Sequence, residues 1–175
     1  MYINPFEKHT DRYSIWDMLV KRDIIAFCKG DWALIEDDFI EDGFIGIDSA
    51  GKSNPDEWIL NFPELEDYKK EWLKQAKAFN GKKWKGDAEK GLYNATILRD
   101  IDLHGSSALV HKKFNGELEQ VDGTKEYLNW QSLYRCKKIS DQWRIQGFTG
   151  YLPFPISEDQ WILNTIKNKG CTGTN

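Results

Sequence analysis

The sequence predicts an α+β fold in which helices cover one face of an antiparallel sheet. Apolar residues recur at helical spacing through the first half of the chain. The second half is a series of segments rich in branched and aromatic residues, "LYNATILRDIDL", "SSALVHKKF", "EYLNWQSLYRCKKI" and "QWRIQGFTGYL", divided by turn pairs. Helices first and a meander of long strands afterwards is the α+β order.

The first helix runs from Thr10 to Cys28. At about 100° per residue, Tyr13, Ile15, Trp16, Leu19, Val20, Ile24, Ala26 and Phe27 fall in one broad arc. Lys29-Gly30 stops it, and Asp31 is placed to cap a short second helix from Trp32 to about Asp38 by accepting from the amide of Ala33 or Leu34. "GFIGID" reads as a strand, "SAGKSNP" as a turn-rich connection and "EWIL" as a short return strand. Pro63 suits the first turn of a helix carrying Leu65, Tyr68, Trp72, Ala76 and Phe79. "NGKKWKGDAEKG" reads as a loop. The long strands then follow, with turns at His104-Gly105, Asn115-Gly116, Asp122-Gly123 and Ser140-Asp141. Ser157 and Gln160 form a capping-box pattern for a terminal helix over 157–168 with Trp161, Ile162 and Ile166, ahead of a loose tail over 170–175.

All 175 residues are expected to form one domain, large enough to bury its own core. No run of twenty residues lacks charges, so no segment is expected to cross a bilayer. The start, "MYINPFEKHTDR", has no apolar stretch ahead of a small-residue cleavage site. Cys28, Cys136 and Cys171 are far apart and odd in number, which argues against a disulfide framework and a thiolate zinc site. A cytoplasmic protein is the expectation. A formal charge of -4 argues against nucleic acid, and the basic group Lys82, Lys83 and Lys85 around Trp84 reads as a solvated loop. Eight tryptophans point first to a core of large side chains and second to a ring-lined cavity.

Two metal readings fail on spacing. Placing Gly43 at the sixth position of a calcium loop puts Ile40 at the third and Ser49 at the twelfth, where oxygen ligands are obligatory. The acidic stretch then reads as a helix end, a bend at Gly43 and a fresh strand. His9, His104 and His111 have no zinc-binding spacing, although Asp100, Asp102 and His104 share a strand face. No metal and no cofactor are expected.

A long helix broken at Gly-Asp, a short aromatic-bearing helix, a strand ending in an acid, another helix and long strands finishing "QWRIQGF" resembles the nuclear transport factor 2-like superfamily over Thr10 to Leu152. That group includes steroid isomerases, SnoaL-like polyketide cyclases, scytalone dehydratases and many non-catalytic proteins. The resemblance implies a strongly bent, cystatin-like sheet wrapped into a cone around the N-terminal helices, with a pocket at its open end. It also implies a homodimer formed through the outer face of the sheet. The isomerases have a strand-end general base in a D-x-x-G sequence, and "DSAG" puts Asp48 in that slot. Their pocket tyrosine lies eight residues before the aspartate of the Gly-Asp break, which here is Asp23. That tyrosine donates to a developing enolate, whereas an ionised Asp only accepts.

Asp23 stands out without the resemblance, because it falls within the apolar arc of the first helix, and a buried carboxylate must be paired, hydrogen-bonded or neutral. One reading is an anchor to an indole, a tyrosine or an arginine; the other is an acid or base shifted by desolvation. Arg99 shares the more apolar face of its strand with Ile97 and Ile101 and is the expected partner of Asp23 or Asp48, or of an acidic ligand. In the next long strand, Leu128, Trp130, Ser132, Tyr134 and Cys136 are taken as inward, so that Trp130 and Tyr134 line the cavity with Trp16. In the last strand, Trp143, Ile145, Gly147, Thr149 and Tyr151 share a face. His111 alternates with Leu109 and Lys113; cyclases and dehydratases of the superfamily use an Asp-His pairing, which keeps it a candidate.

The candidate catalytic residues are thus Asp23, Asp48 and His111, and the candidate ligand-binding residues Trp16, Arg99, Trp130 and Tyr134. The favoured function is binding of a small apolar or weakly acidic molecule. The alternatives are a lyase, isomerase or cyclase using a pocket carboxylate, and a non-catalytic structural or partner-binding domain.

Overall fold

The computed structural model describes residues 2–156. The terminal helix expected over 157–168 and the tail lie outside the described residues.

One helical run opens the chain: α1 (Asp11–Trp16), a π-helical turn (Asp17–Arg22) and α2 (Asp23–Lys29). Thr10 caps it by accepting the Tyr13 amide at 3.2 Å. Gly30, left-handed at φ 65°, closes it, as a C-terminal glycine does without steric cost. Asp31 accepts the Ala33 amide at 3.1 Å as expected, but the segment it caps is two 3₁₀ turns, Trp32–Leu34 and Glu36–Asp38. Asp38 is buried and held by Arg22 of the π turn, Nε at 3.0 Å and Nη2 at 2.5 Å. The acidic stretch is a helix end followed by a left-handed Gly43, φ 73°, and a strand from Ile45, as read, and one of its carboxylates ties it back to the first helix.

A six-stranded sheet follows, in the order β2-β1-β6-β5-β4-β3. β1 (Ile45–Asp48) and β2 (Ile59–Phe62) form the antiparallel return pair read from the sequence. β1 also runs parallel to β6 (Gln142–Pro153), so the sheet is not antiparallel throughout. Gly147 permits this, since a Cβ there would come within 2.2 Å of the Ile45 carbonyl oxygen. β3 (Thr96–His104), β4 (Ser107–Glu119), β5 (Lys125–Ile139) and β6 form the expected meander.

Two elements differ from the sequence reading. "AEKGLYNA" is helix α4 (Ala88–Ala95), capped by Asp87, which accepts the Lys90 amide at 3.0 Å; the strand starts only at Thr96. Asn115-Gly116 is no turn but lies inside β4, where Gly116 leaves room for Ala95 of α4. Pro63 lies just outside α3 (Leu65–Asn80), before its N-cap Glu64.

The core fills the space between the helices and the inner face of the sheet. Tyr68, Trp72, Ala76 and Phe79 of α3 are buried there, as are Val110, Leu128, Cys136 and Phe148 from the strands. Register shifts between Leu98 and Asp100 and between Arg135 and Cys136 bend the ladders, because a bulge locally increases twist. Asp11 ties the first helical turn to the far end of the sheet, accepting Trp143 Nε1 at 2.9 Å and pairing with Lys138 at 3.0 Å. These contacts hold its carboxyl below the usual range.

Candidate functional site

Side chains alternate along β4, so Ala108, Val110, Lys112 and Phe114 all face inward and are buried. Lys112 thus carries an ammonium into the core, where it is 1% exposed. A buried charge requires partners. The Nζ donates to the Leu19 carbonyl at 2.5 Å, within the π turn, and to Asp23 Oδ2 at 2.7 Å, and it lies 5.0 Å from the centre of the Phe114 ring. The Trp72 indole of α3 reaches Asp23 Oδ1 at 3.4 Å, at the long end of hydrogen bonding.

This pair forms part of the wall of a cavity of about 360 Å³. Aromatic residues make up half of the wall: Phe27 and Trp72 meet edge to face with centroids 5.5 Å apart, and Phe114 stacks on Trp130 at 4.4 Å. Tyr134, Phe148 and Tyr151 complete it from β5 and β6, with Tyr151 accepting Gln75 Nε2 at 3.3 Å. Burial pushes the phenols of Tyr134 and Tyr151 above their ordinary range, and the Asp23 carboxylate adds to both shifts. Both keep their protons at neutral pH. Elsewhere on the wall, Lys82 pairs with Glu126 at 2.6 Å. Lys85 pairs with Glu119 at 3.0 Å, so two lysines of the basic cluster are bound to acids.

Of the residues singled out in the sequence, Asp23, Trp130 and Tyr134 line the cavity together. The inward parity assigned to β5 is observed, with Leu128, Ser132 and Cys136 buried. In β6, Trp143 and Ile145 point inward, but the register shift then turns Phe148 inward in place of Thr149.

The others lie elsewhere. Arg99 is exposed and does not meet Asp23, because the bulge between Leu98 and Asp100 changes the parity of β3; Leu98 and Ile101 are the buried residues there. Trp16 is buried against Tyr93, edge to face at 6.4 Å, away from the cavity wall. Asp48 accepts the Ala50 amide at 2.7 Å and Asn61 Nδ2 at 3.3 Å; it caps the turn after β1 and does not line the cavity. His111 faces outward beside Leu109 and Leu133, with Nε2 2.6 Å from Gln131 Oε1. Among the described residues, no histidine lines the cavity, and no three His, Cys, Asp or Glu side chains converge as metal ligands.

Sequence reasoning missed Lys112. Its signal is a lysine in the apolar series of "ALVHKKF", at the parity of Ala108, Val110 and Phe114.

No family model and no curated relative matches the chain. Solved structures do. A domain of unknown function with a cystatin-like fold from Nostoc punctiforme aligns with a TM-score of 0.56 at 14% identity, over 92% of this chain and 88% of that one. A nuclear transport factor 2-like superfamily protein from Salmonella enterica aligns with a TM-score of 0.51 at 14% identity, over 79% and 88%. A nuclear transport factor 2-like protein of unknown function from Pseudomonas putida aligns with a TM-score of 0.51 at 16% identity, over 83% and 88%. The chain has the nuclear transport factor 2-like fold. At these identities the likeness carries the fold alone. The nuclear transport factor 2-like sheet supplies the inner wall of the cavity, and α2 and α3 supply the opposite one. No helix among the described residues is long and apolar enough to cross a membrane.

Proposed function

We propose that the protein binds a small, flat, mainly apolar molecule in the cavity between α2, α3 and the inner face of β4, β5 and β6. The observation that carries this reading is a ring-lined space with one built-in ion pair, Asp23–Lys112, set into its wall. A mostly apolar pocket with a few fixed polar groups is the usual form of a small-molecule site, and about 360 Å³ lies at the small end of that class. Trp72 and Trp130 line it, so occupancy alters indole emission.

Titration with two-ring probes such as 2-methoxynaphthalene and 2-naphthol is expected to give saturable changes in tryptophan fluorescence. At a hundred times its Kd a ligand stabilises the fold by about 2.7 kcal/mol, which raises the unfolding midpoint by roughly 5–10 °C for a chain of this size. Trp130→Ala is expected to weaken binding. If no two-ring compound, with or without a polar group, saturates the protein, the reading fails.

A proton-transfer enzyme in the same cavity is the second reading, favoured by Asp23 at the wall. His111, on the outer face, cannot serve as its partner. Turnover of a bound carbonyl compound that Asp23→Asn abolishes while the variant stays folded by circular dichroism would establish this second reading; turnover kept by that variant would exclude Asp23 as an essential base.

A further inference from the structure

The two members of the buried ion pair are unequally accessible. Both line the cavity, but the Lys112 side chain is only 1% exposed, whereas that of Asp23 is 31% exposed. The Lys112 ammonium is enclosed by the Leu19 carbonyl, the Asp23 carboxylate and the Phe114 ring. A molecule entering the cavity therefore meets the anion of the pair.

That anion has capacity to spare. A carboxylate has room for about four hydrogen bonds. The side-chain donors that reach Asp23 are Lys112 on Oδ2 and, at 3.4 Å, Trp72 on Oδ1. Tyr134 and Tyr151 also line the space, and burial keeps both in the neutral, donating form. Lys112 already neutralises Asp23 at 2.7 Å, so a second full cation would be repelled by the ammonium behind it. An anion would be pressed against the half-buried carboxylate in a space walled largely by rings, and the other lysine of the wall, Lys82, is already bound to Glu126 at 2.6 Å.

From this we infer that the ligand is a neutral ring compound bearing a hydroxyl or comparable N–H donor, which it gives to Asp23. Carboxylic acids are excluded. The inference rests on the pocket reading above and narrows it to one class of ligand. An acidic ligand anchored on Arg99 has no support, because Arg99 is exposed.

Three matched probes test it at neutral pH, where 2-naphthol keeps its proton: 2-naphthol, 2-methoxynaphthalene and 2-naphthoate. They share the two-ring body and differ only in what they present to Asp23. A hydrogen bond to a charged group gives 2-naphthol an expected advantage of about tenfold or more in Kd over the methyl ether. The naphthoate is expected to bind about a hundredfold more weakly than the naphthol, or not at all, since like charges brought together at an interface cost several kcal/mol. Asp23→Asn leaves Lys112 as the unpaired charge of the site, so naphthoate binding should strengthen in that variant and the ranking should invert. If the variant does not fold, the wild-type ranking decides alone. Equal binding of the naphthol and its ether, or naphthoate binding as tightly as naphthol, overturns the ligand class while the pocket stands. Binding by none of the three overturns both.

Discussion

Lys112 and Asp23 each complete the other. The ammonium is almost wholly buried, and the carboxylate shares its cavity wall with Trp72, Phe27 and Tyr134. Removing one member of such a pair strands the other and is strongly destabilising, whereas replacing both with apolar groups of similar size is often tolerated. Lys112→Met is therefore expected to cost about 3–5 kcal/mol in urea denaturation. The double variant Lys112→Met with Asp23→Leu should recover much of that loss. A single variant within about 1 kcal/mol of the parent would show that the pair is of the weak, solvent-screened kind. At this scale the sequence was half legible. Asp23 was visible as an acid in an apolar arc. Lys112 was harder to see because His111 and Lys113 flank it, and three polar residues in a row obscure the alternation that marks the middle one as inward. The Leu19 carbonyl gives no signal at all, since a widened helical turn leaves no residue signature.

Elements were read well wherever one period ran unbroken. The stripe Tyr68, Trp72, Ala76 and Phe79 of α3 and the inward parity of β5 follow from such runs, and the buried arc of α1 and α2 continues through the π turn between them. Bulges defeat the reading, because one extra residue turns every later side chain to the other face. That is why Ile101 faces in although Ile97 and Arg99 face out, and why Phe148 faces in. α4 was missed for a different reason: it is a short helix containing Gly91 and Asn94, both poor helix formers, and its support comes from β4 rather than from propensity. Gly116 is the contact point, since a Cβ there would lie 2.8 Å from the Cβ of Ala95. Gly116→Val should push α4 off the strand and destabilise by about 1–3 kcal/mol, read as a lower thermal midpoint. Adding Ala95→Gly should return part of the loss. An unchanged midpoint in Gly116→Val would mean that the two elements are not in close contact.

For the molecule as a whole, the homodimer expected from the resemblance becomes a proposal about the outer face of β3, β4 and β5. Leu109 is 49% exposed and Leu133 36% exposed there, beside His111 and the Lys113–Asp100 pair. A two-fold interface must complement itself, and an apolar centre flanked by both signs of charge meets that requirement. Light scattering is expected to give twice the chain mass at tens of micromolar. Leu133→Asp should return the monomer while leaving probe binding in the inner cavity intact. A parent protein that runs as a monomer across that range ends the proposal.

Periodicity and turn chemistry, both local properties, were enough to determine the α+β class, the order of most elements, the inward face of β5 and the anomaly at Asp23. The partner of that carboxylate was decided only when the chain folded. Lys112 lies 89 residues away from Asp23 in sequence, and which strand residue arrives there depends on the bulges and on the register of β4 against its neighbours. Register is a collective outcome of twist and core packing, and no window of sequence contains it.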